Sequence, residues 1–158
     1  MALETTLLVF LLLGELSGTF SQTHCKPPVG ESHPQTFQRQ HHDGPKTKHG
    51  NDYCGAMMHK KCMTNQDPPK TKCKETNTFI HAPKKTITSV CSNGGKPYQG
   101  SANLRVSNAP FSVTTCKIKG NSVTHLCEYK AKSYTRKIVI GCENGFPTHY
   151  DEGIIVPK

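Results

Sequence analysis

Three short stretches hold the residue types that acid–base chemistry on an anionic substrate would need. They are "FQRQHHD" (Phe37 to Asp43), "CKETNTFIH" (Cys73 to His81) and "FPTHYD" (Phe146 to Asp151). Each supplies at least one histidine, and imidazole is the side chain that can offer one neutral and one protonated partner near neutral pH without a large environmental shift. The middle stretch adds Lys74, a fixed cation suited to charge developing on an oxygen. Taken singly, each is better explained as ordinary surface: an exposed helix histidine, a solvated edge-strand histidine, a surface lysine. Only jointly do they suggest a site.

The elements that must position them belong to a secreted type of chain. "LLVFLLLG" (Leu7 to Gly14) is an apolar run too short to span a bilayer, and "SGTFS" (Ser17 to Ser21) supplies small residues for cleavage, so residues 1–21 read as a signal peptide, although Glu4 is atypical for its start. Residues 22–34 then form an N-terminal arm and 35–158 one domain. The precursor charge of +9 rises to +11 on cleavage, because Glu4 and Glu15 leave and no lysine or arginine does. Such a field favours polyanions: nucleic acid, heparan-type glycans or anionic membranes.

All eight cysteines follow the leader, so four disulfides are expected and zinc is the weaker alternative, since no pair has CxxC spacing. Eight cysteines allow 105 connectivities, and counting alone selects none.

Short helices are expected over residues 35–42, with Phe37 and His41 on one face, over 49–63 with Asn51 or Asp52 as the cap, and over 84–92. "TNQDPPKTK" (Thr64 to Lys72) reads as a loop and "NGGKP" (Asn93 to Pro97) as a break. Strand patterns follow in "ANLRVS", "FSVTTCKIK", "HLCEYKAKS", "RKIVIGC" and "THYDEGIIV". Helices first and antiparallel strands afterwards define an α+β arrangement.

"CKxxNTF", with a histidine in an upstream helix and another in a C-terminal strand, resembles the pancreatic-type ribonuclease A superfamily over Gln35 to about Val156. "NTFIH", "NLRVS", "FSVTTCK" and "CENGFPTH" look most like its angiogenin branch. The resemblance implies three short helices on a long, bent, disulfide-stapled antiparallel sheet, and a secreted, metal-independent endoribonuclease with no cofactor. His41 would be the base on the ribose 2′-hydroxyl, His149 the acid for the leaving 5′-oxygen, and Lys74 the phosphoryl cation. "RQH" favours His41 over His42 as the base.

Gln40 and Arg39 would contact phosphates, Asn77 the substrate side, Thr78 the pyrimidine edge and Tyr150 its flank, with Asp151 orienting His149. The bridges implied are Cys54–Cys116, Cys73–Cys127 and Cys91–Cys142. Cys25 and Cys62 fall outside the family's pattern and are expected to join, pinning the arm. Glu152 stands where angiogenins carry a glutamine that obstructs the pyrimidine pocket, and Ile154 where the C-terminal segment holds it closed, so weak turnover is expected.

His59–Lys61 and residues 92–103 match in position the angiogenin nuclear-targeting cluster and cell-binding loop, so the resemblance implies partners that extend from RNA to a cell-surface receptor, with nuclear entry after uptake. The chain is expected to be a monomer. A function of another class, a cationic antimicrobial acting on bacterial membranes, rests on charge.

Overall fold

The computed structural model describes residues 25–65, 72–101, 103–120 and 127–157; the leader and the tip of the loop after Thr64 lie outside the described residues. Helix α1 spans His33–His41, α2 Tyr53–Lys60 and α3 Lys84–Thr88, the last continued by a 3-10 turn at Ser89–Cys91. The strands are β1 Thr64–Asn65, β2 Lys72–Cys73, β3 Thr76–Ile80, β4 Gly95–Pro97, β5 Leu104–Ser107, β6 Phe111–Ile118, β7 Tyr129–Arg136, β8 Val139–Glu143 and β9 Phe146–Tyr150.

Helix α1 starts two residues before the expected Gln35. Proline is tolerated in a first turn, where its missing N–H has no intrahelical partner, so Pro34 opens the helix instead of excluding it. Ser32 accepts from the Gln35 N–H at 3.3 Å and the Gln35 side chain accepts from the Ser32 N–H at 2.9 Å, a reciprocal cap. Asp52 caps α2 by accepting from Gly55 N–H at 3.0 Å.

The strand section departs from expectation at short elements. The ends of the loop after α2 pair as Thr64↔Cys73 and Asn65↔Lys72, and Gly95–Pro97 pairs with β5 although glycine and proline both disfavour strands. The C-terminal strand stops at Tyr150, beyond which, among the described residues, Val156 makes an isolated bridge to Lys137. In the short strands tertiary pairing outweighs local propensity, and beyond Tyr150 the strand-like residues lack a ladder to join.

The antiparallel strands form orders β3-β6-β7 and β4-β5-β8-β9, joined where β5 runs into β6 and β7 into β8. Ser107 locks that bend: its N–H donates to the Ile138 carbonyl at 2.9 Å, and its hydroxyl accepts from the Ile138 N–H at 3.0 Å. The result is the α+β, disulfide-stapled, ribonuclease A-like fold with its sheet bent between the two ladders. Alternation along β3 splits the core, because Phe79 packs with Tyr53, Met57 and Met58 of α2 while Ile80 packs with Phe37 of α1, Ile138 and Ile140.

The four bridges are Cys54–Cys116, Cys73–Cys127, Cys91–Cys142 and Cys25–Cys62. The last closes a separation of 37 residues and sets the arm beside Lys61, whose carbonyl accepts from Arg39 at 2.6 Å. Replacing Cys25 and Cys62 with alanine is expected to lower unfolding free energy by ~2 to 4 kcal/mol, measured by denaturant titration, without changing RNA cleavage, because the staple constrains the unfolded chain and lies away from the cleft.

Candidate active site

Helix α1 packs against both β3 and β9, and the three expected stretches meet there. Phe37, Gln40 and His41 of α1, Lys74 from the β2–β3 connection, and Thr148, His149, Tyr150, Asp151 and Glu152 of the C-terminal segment line one cleft of about 270 Å³. A second hollow of about 360 Å³ adjoins it, shared through Tyr150 and Glu152, and is lined also by Thr78, Thr115, Lys117, Tyr134 and Arg136.

His41 is 4% exposed, its ring stacked on Tyr150 with centroids 5.2 Å apart. Nδ1 lies 2.8 Å from the Thr78 carbonyl. A carbonyl only accepts, so Nδ1 carries the proton and Nε2 keeps its lone pair in the neutral ring. Burial, helped by the Lys74 charge, pushes His41 down to about 3, which keeps it in the base form at neutral pH.

The sign of the stability effect follows. The unfolded chain binds a proton below about pH 6.5 that the folded chain refuses until about pH 3, so stability is full above the upper value and falls as pH drops between the two. Chemical denaturation should show on the order of 1 to 2 kcal/mol lost from this group between pH 6.5 and 5. A His41→Phe protein should lack that component of the slope.

The Lys74 ammonium donates to Asn77 Oδ1 at 2.8 Å and to Gln40 Oε1 at 3.4 Å, while Asn77 Nδ2 donates to the Gln40 backbone carbonyl at 2.7 Å. Asn77, fully buried, thus aims Lys74 rather than lining the cleft. Burial holds the lysine below its ordinary value, with Glu152 pulling the other way. Tyr150 is buried, and burial pushes its phenol up to about 12.

His149 is exposed and pairs in register with Gly141 across β8 and β9. A Cβ at Gly141 would lie 3.2 Å from His149 Cβ, so glycine keeps the rung opposite the histidine open. No hydrogen bond joins Asp151 to His149 among the described residues; the Asp151 carboxylate accepts instead from Gly153 N–H at 3.0 Å. Arg39 stands outside the cleft. Its guanidinium holds the Glu31 carboxylate at 2.9 Å and the Lys61 carbonyl, contacts that a phosphate would have to displace.

Thr78 is where sequence expectation and geometry meet most closely. Its N–H donates to Glu152 Oε1 at 2.7 Å and its hydroxyl to Oε2 at 2.6 Å, so both groups expected to read a base are taken by one carboxylate. Burial raises the Glu152 carboxyl, against the Thr78 bonds and the Lys74 charge. Thr115, Arg136 and Gly141 were invisible as site residues in sequence, because their neighbours come from pairing across strands far apart in the chain.

His81 belongs elsewhere. Its Nδ1–H donates to the Asp43 carbonyl at 2.8 Å and its Nε2 accepts from the Thr114 hydroxyl at 2.7 Å, a structural clamp on the strand end. Among the described residues, no cluster of three or more His, Cys, Asp or Glu could hold a metal ion, and no helix is long and apolar enough to cross a membrane.

Comparison with known proteins agrees with this α+β fold as that of an RNA endonuclease. The family model described as pancreatic ribonuclease matches residues 32–151, and the chain belongs to that family. Within it the likeness extends to the angiogenin branch: angiogenin of Papio hamadryas is 40% identical over 99% of both chains, and angiogenin of Saimiri sciureus 45% identical over 96% of this chain and 94% of its own. Among solved structures, green turtle egg white ribonuclease superposes with a TM-score of 0.69 at 42% identity, covering 78% of this chain and all of its own.

Proposed function

We propose that this is a secreted, metal-independent endoribonuclease that cleaves RNA 3′ of pyrimidines by transphosphorylation, with low turnover. The observation that carries it is the His41 Nδ1–H bond to Thr78, which leaves Nε2 as a base inside the cleft that also contains Lys74 and His149. His41 Nε2 takes the proton of the ribose 2′-hydroxyl; the 2′-oxygen attacks phosphorus; the bond to the 5′-oxygen breaks as His149 gives that oxygen a proton. Lys74 offsets charge on the non-bridging oxygens.

The product is a 2′,3′-cyclic phosphate, which water opens in a second step with the histidines in reversed roles. Tyr150 and Thr78 flank and read the base, and Gln40 contacts the phosphate. Low turnover follows from Glu152, which must release Thr78 before a base can bind. Secretion accords with the leader and the disulfides. The membrane-directed alternative rests on charge alone.

The test is to incubate cytidylyl-3′,5′-adenosine with the protein in excess chelator. Cyclic cytidine 2′,3′-phosphate should appear before cytidine 3′-phosphate, and direct formation of the linear product, or dependence on added metal, would overturn the mechanism.

A further inference from the structure

Three of the four bridges are built into the core. Cys54, Cys73, Cys116 and Cys127 sit in or against the cluster around Phe79, and Cys91 and Cys142 pack against the cluster around Ile80. Among the described residues, Cys25 and Cys62 belong to neither cluster, both are partly exposed, and residues 26–30 of the arm are exposed throughout. An attacking sulfur can therefore reach this bridge without opening the core.

The two sulfurs of the bridge are not equivalent. Cys62 follows α2, where the Lys61 N–H donates to the Met57 carbonyl and the Met63 N–H to the Met58 carbonyl, both at 2.9 Å. Its φ of 61° is the helix-ending conformation that glycine usually fills, so this position serves its sulfur and not its backbone. A thiolate on Cys62 would face the negative end of the helix. Cys25 Sγ instead lies 3.7 Å from the Lys60 carbonyl, which can accept from its S–H once the bridge is broken. The surroundings are cationic: Lys26 adjoins Cys25, Lys60 and Lys61 precede Cys62, and no acidic residue occurs in 25–30 or 53–66. Glu31, brought near through Arg39, is already paired with it.

We propose that the Cys25–Cys62 bridge is a thiol-exchange site that takes a small anionic thiol onto Cys62. The incoming thiolate attacks Cys62 Sγ, a new sulfur–sulfur bond forms there, the bond to Cys25 breaks, and Cys25 leaves as a thiolate that takes a proton from water. One disulfide replaces another, so the step needs no oxidant or reductant beyond the thiol itself. Lys60 and Lys61 draw the anion to Cys62, and the released arm carries Cys25 away. The site lies apart from the cleft and does not depend on the ribonuclease reading.

The test treats the native protein with 2-mercaptoethanesulfonate or with neutral 2-mercaptoethanol at equal thiolate concentration, followed by alkylation and peptide mass spectrometry. Cys25 should be alkylated at least about tenfold faster than any other cysteine, with the incoming thiol carried on Cys62. At low ionic strength the sulfonate should react roughly three- to tenfold faster than the neutral thiol, and about 0.5 M salt should remove the difference. Changing Lys60 and Lys61 together to glutamine should abolish the sulfonate's advantage and leave the neutral thiol's rate within about twofold.

Earlier opening of another bridge, opening of all four together, a bridge that stays closed, an adduct on Cys25, or equal rates for the two thiols at low salt would overturn the assignment. So would an undiminished sulfonate advantage in the glutamine variant. RNA cleavage plays no part in these readouts, so failure of either reading leaves the other standing.

Discussion

Replacing His149 with alanine should reduce cleavage of a dinucleotide by a factor of roughly 10² to 10⁴, the range for loss of a general acid or base, while unfolding free energy changes by less than about 0.5 kcal/mol. The small stability term follows from exposure: no hydrogen bond to His149 exists among the described residues, and its side chain stands over Gly141 at the open face of β9. His41→Ala should cause a comparable loss of cleavage with a different stability signature. Its ring is buried against Phe37 and Tyr150, and its removal leaves both a cavity and the Thr78 carbonyl without its 2.8 Å donor. That should cost roughly 2 to 4 kcal/mol of folding free energy. The paired measurement is kcat/KM beside a denaturant titration for each variant, and full cleavage by either protein would dismiss the histidine mechanism.

That asymmetry between the two histidines could not be read from sequence. The stretch "RQH" identifies a histidine on the same helical face as Phe37, and it was legible because helical spacing and a local motif are properties of neighbours in the chain. Burial is not such a property; it arises because β9 brings Tyr150 over α1. The same distinction runs through the fold. Helix α2 and its Asp52 cap, and the long hairpin of β6 and β7, carry strong local patterns.

Gly95–Pro97 and the two-residue strands after α2 exist only because a partner strand offers a ladder, so their own residues argued for breaks. Pro34 shows the converse error, in which a residue that ends helices elsewhere begins one here. At the site, Lys74, Thr78 and Glu152 were visible as types, but what each one bonds was not. Asn77 turned out to aim the lysine, Arg39 to hold Glu31, and Arg136 to lie two strand pairings away from Thr78, on the far side of β6.

Glu152→Ala should raise cleavage of pyrimidine dinucleotides by a factor of about 10 to 100, which corresponds to roughly 1.4 to 2.8 kcal/mol. The two bonds from Thr78 to Glu152 are to a charged acceptor, each of a kind that contributes about 1.5 to 3 kcal/mol, and a base must replace both. The gain is smaller than their sum for two reasons: Glu152 is resolvated when it leaves, and its buried carboxyl, already raised by desolvation, is not held at full strength. Removing a carboxylate beside a polyanionic substrate adds to the gain through relief of like-charge repulsion.

The increase should lie mainly in KM, because Glu152 competes for the base-reading donors and not for the bonds made and broken at phosphorus. Glu152→Gln separates these contributions. An amide can accept from Thr78 at only one of its two ends and carries no charge, so its activity should fall between wild type and alanine. If alanine at this position left kcat/KM unchanged, the carboxylate would have to move aside at no cost when substrate binds, and the low turnover would need an origin outside the base pocket.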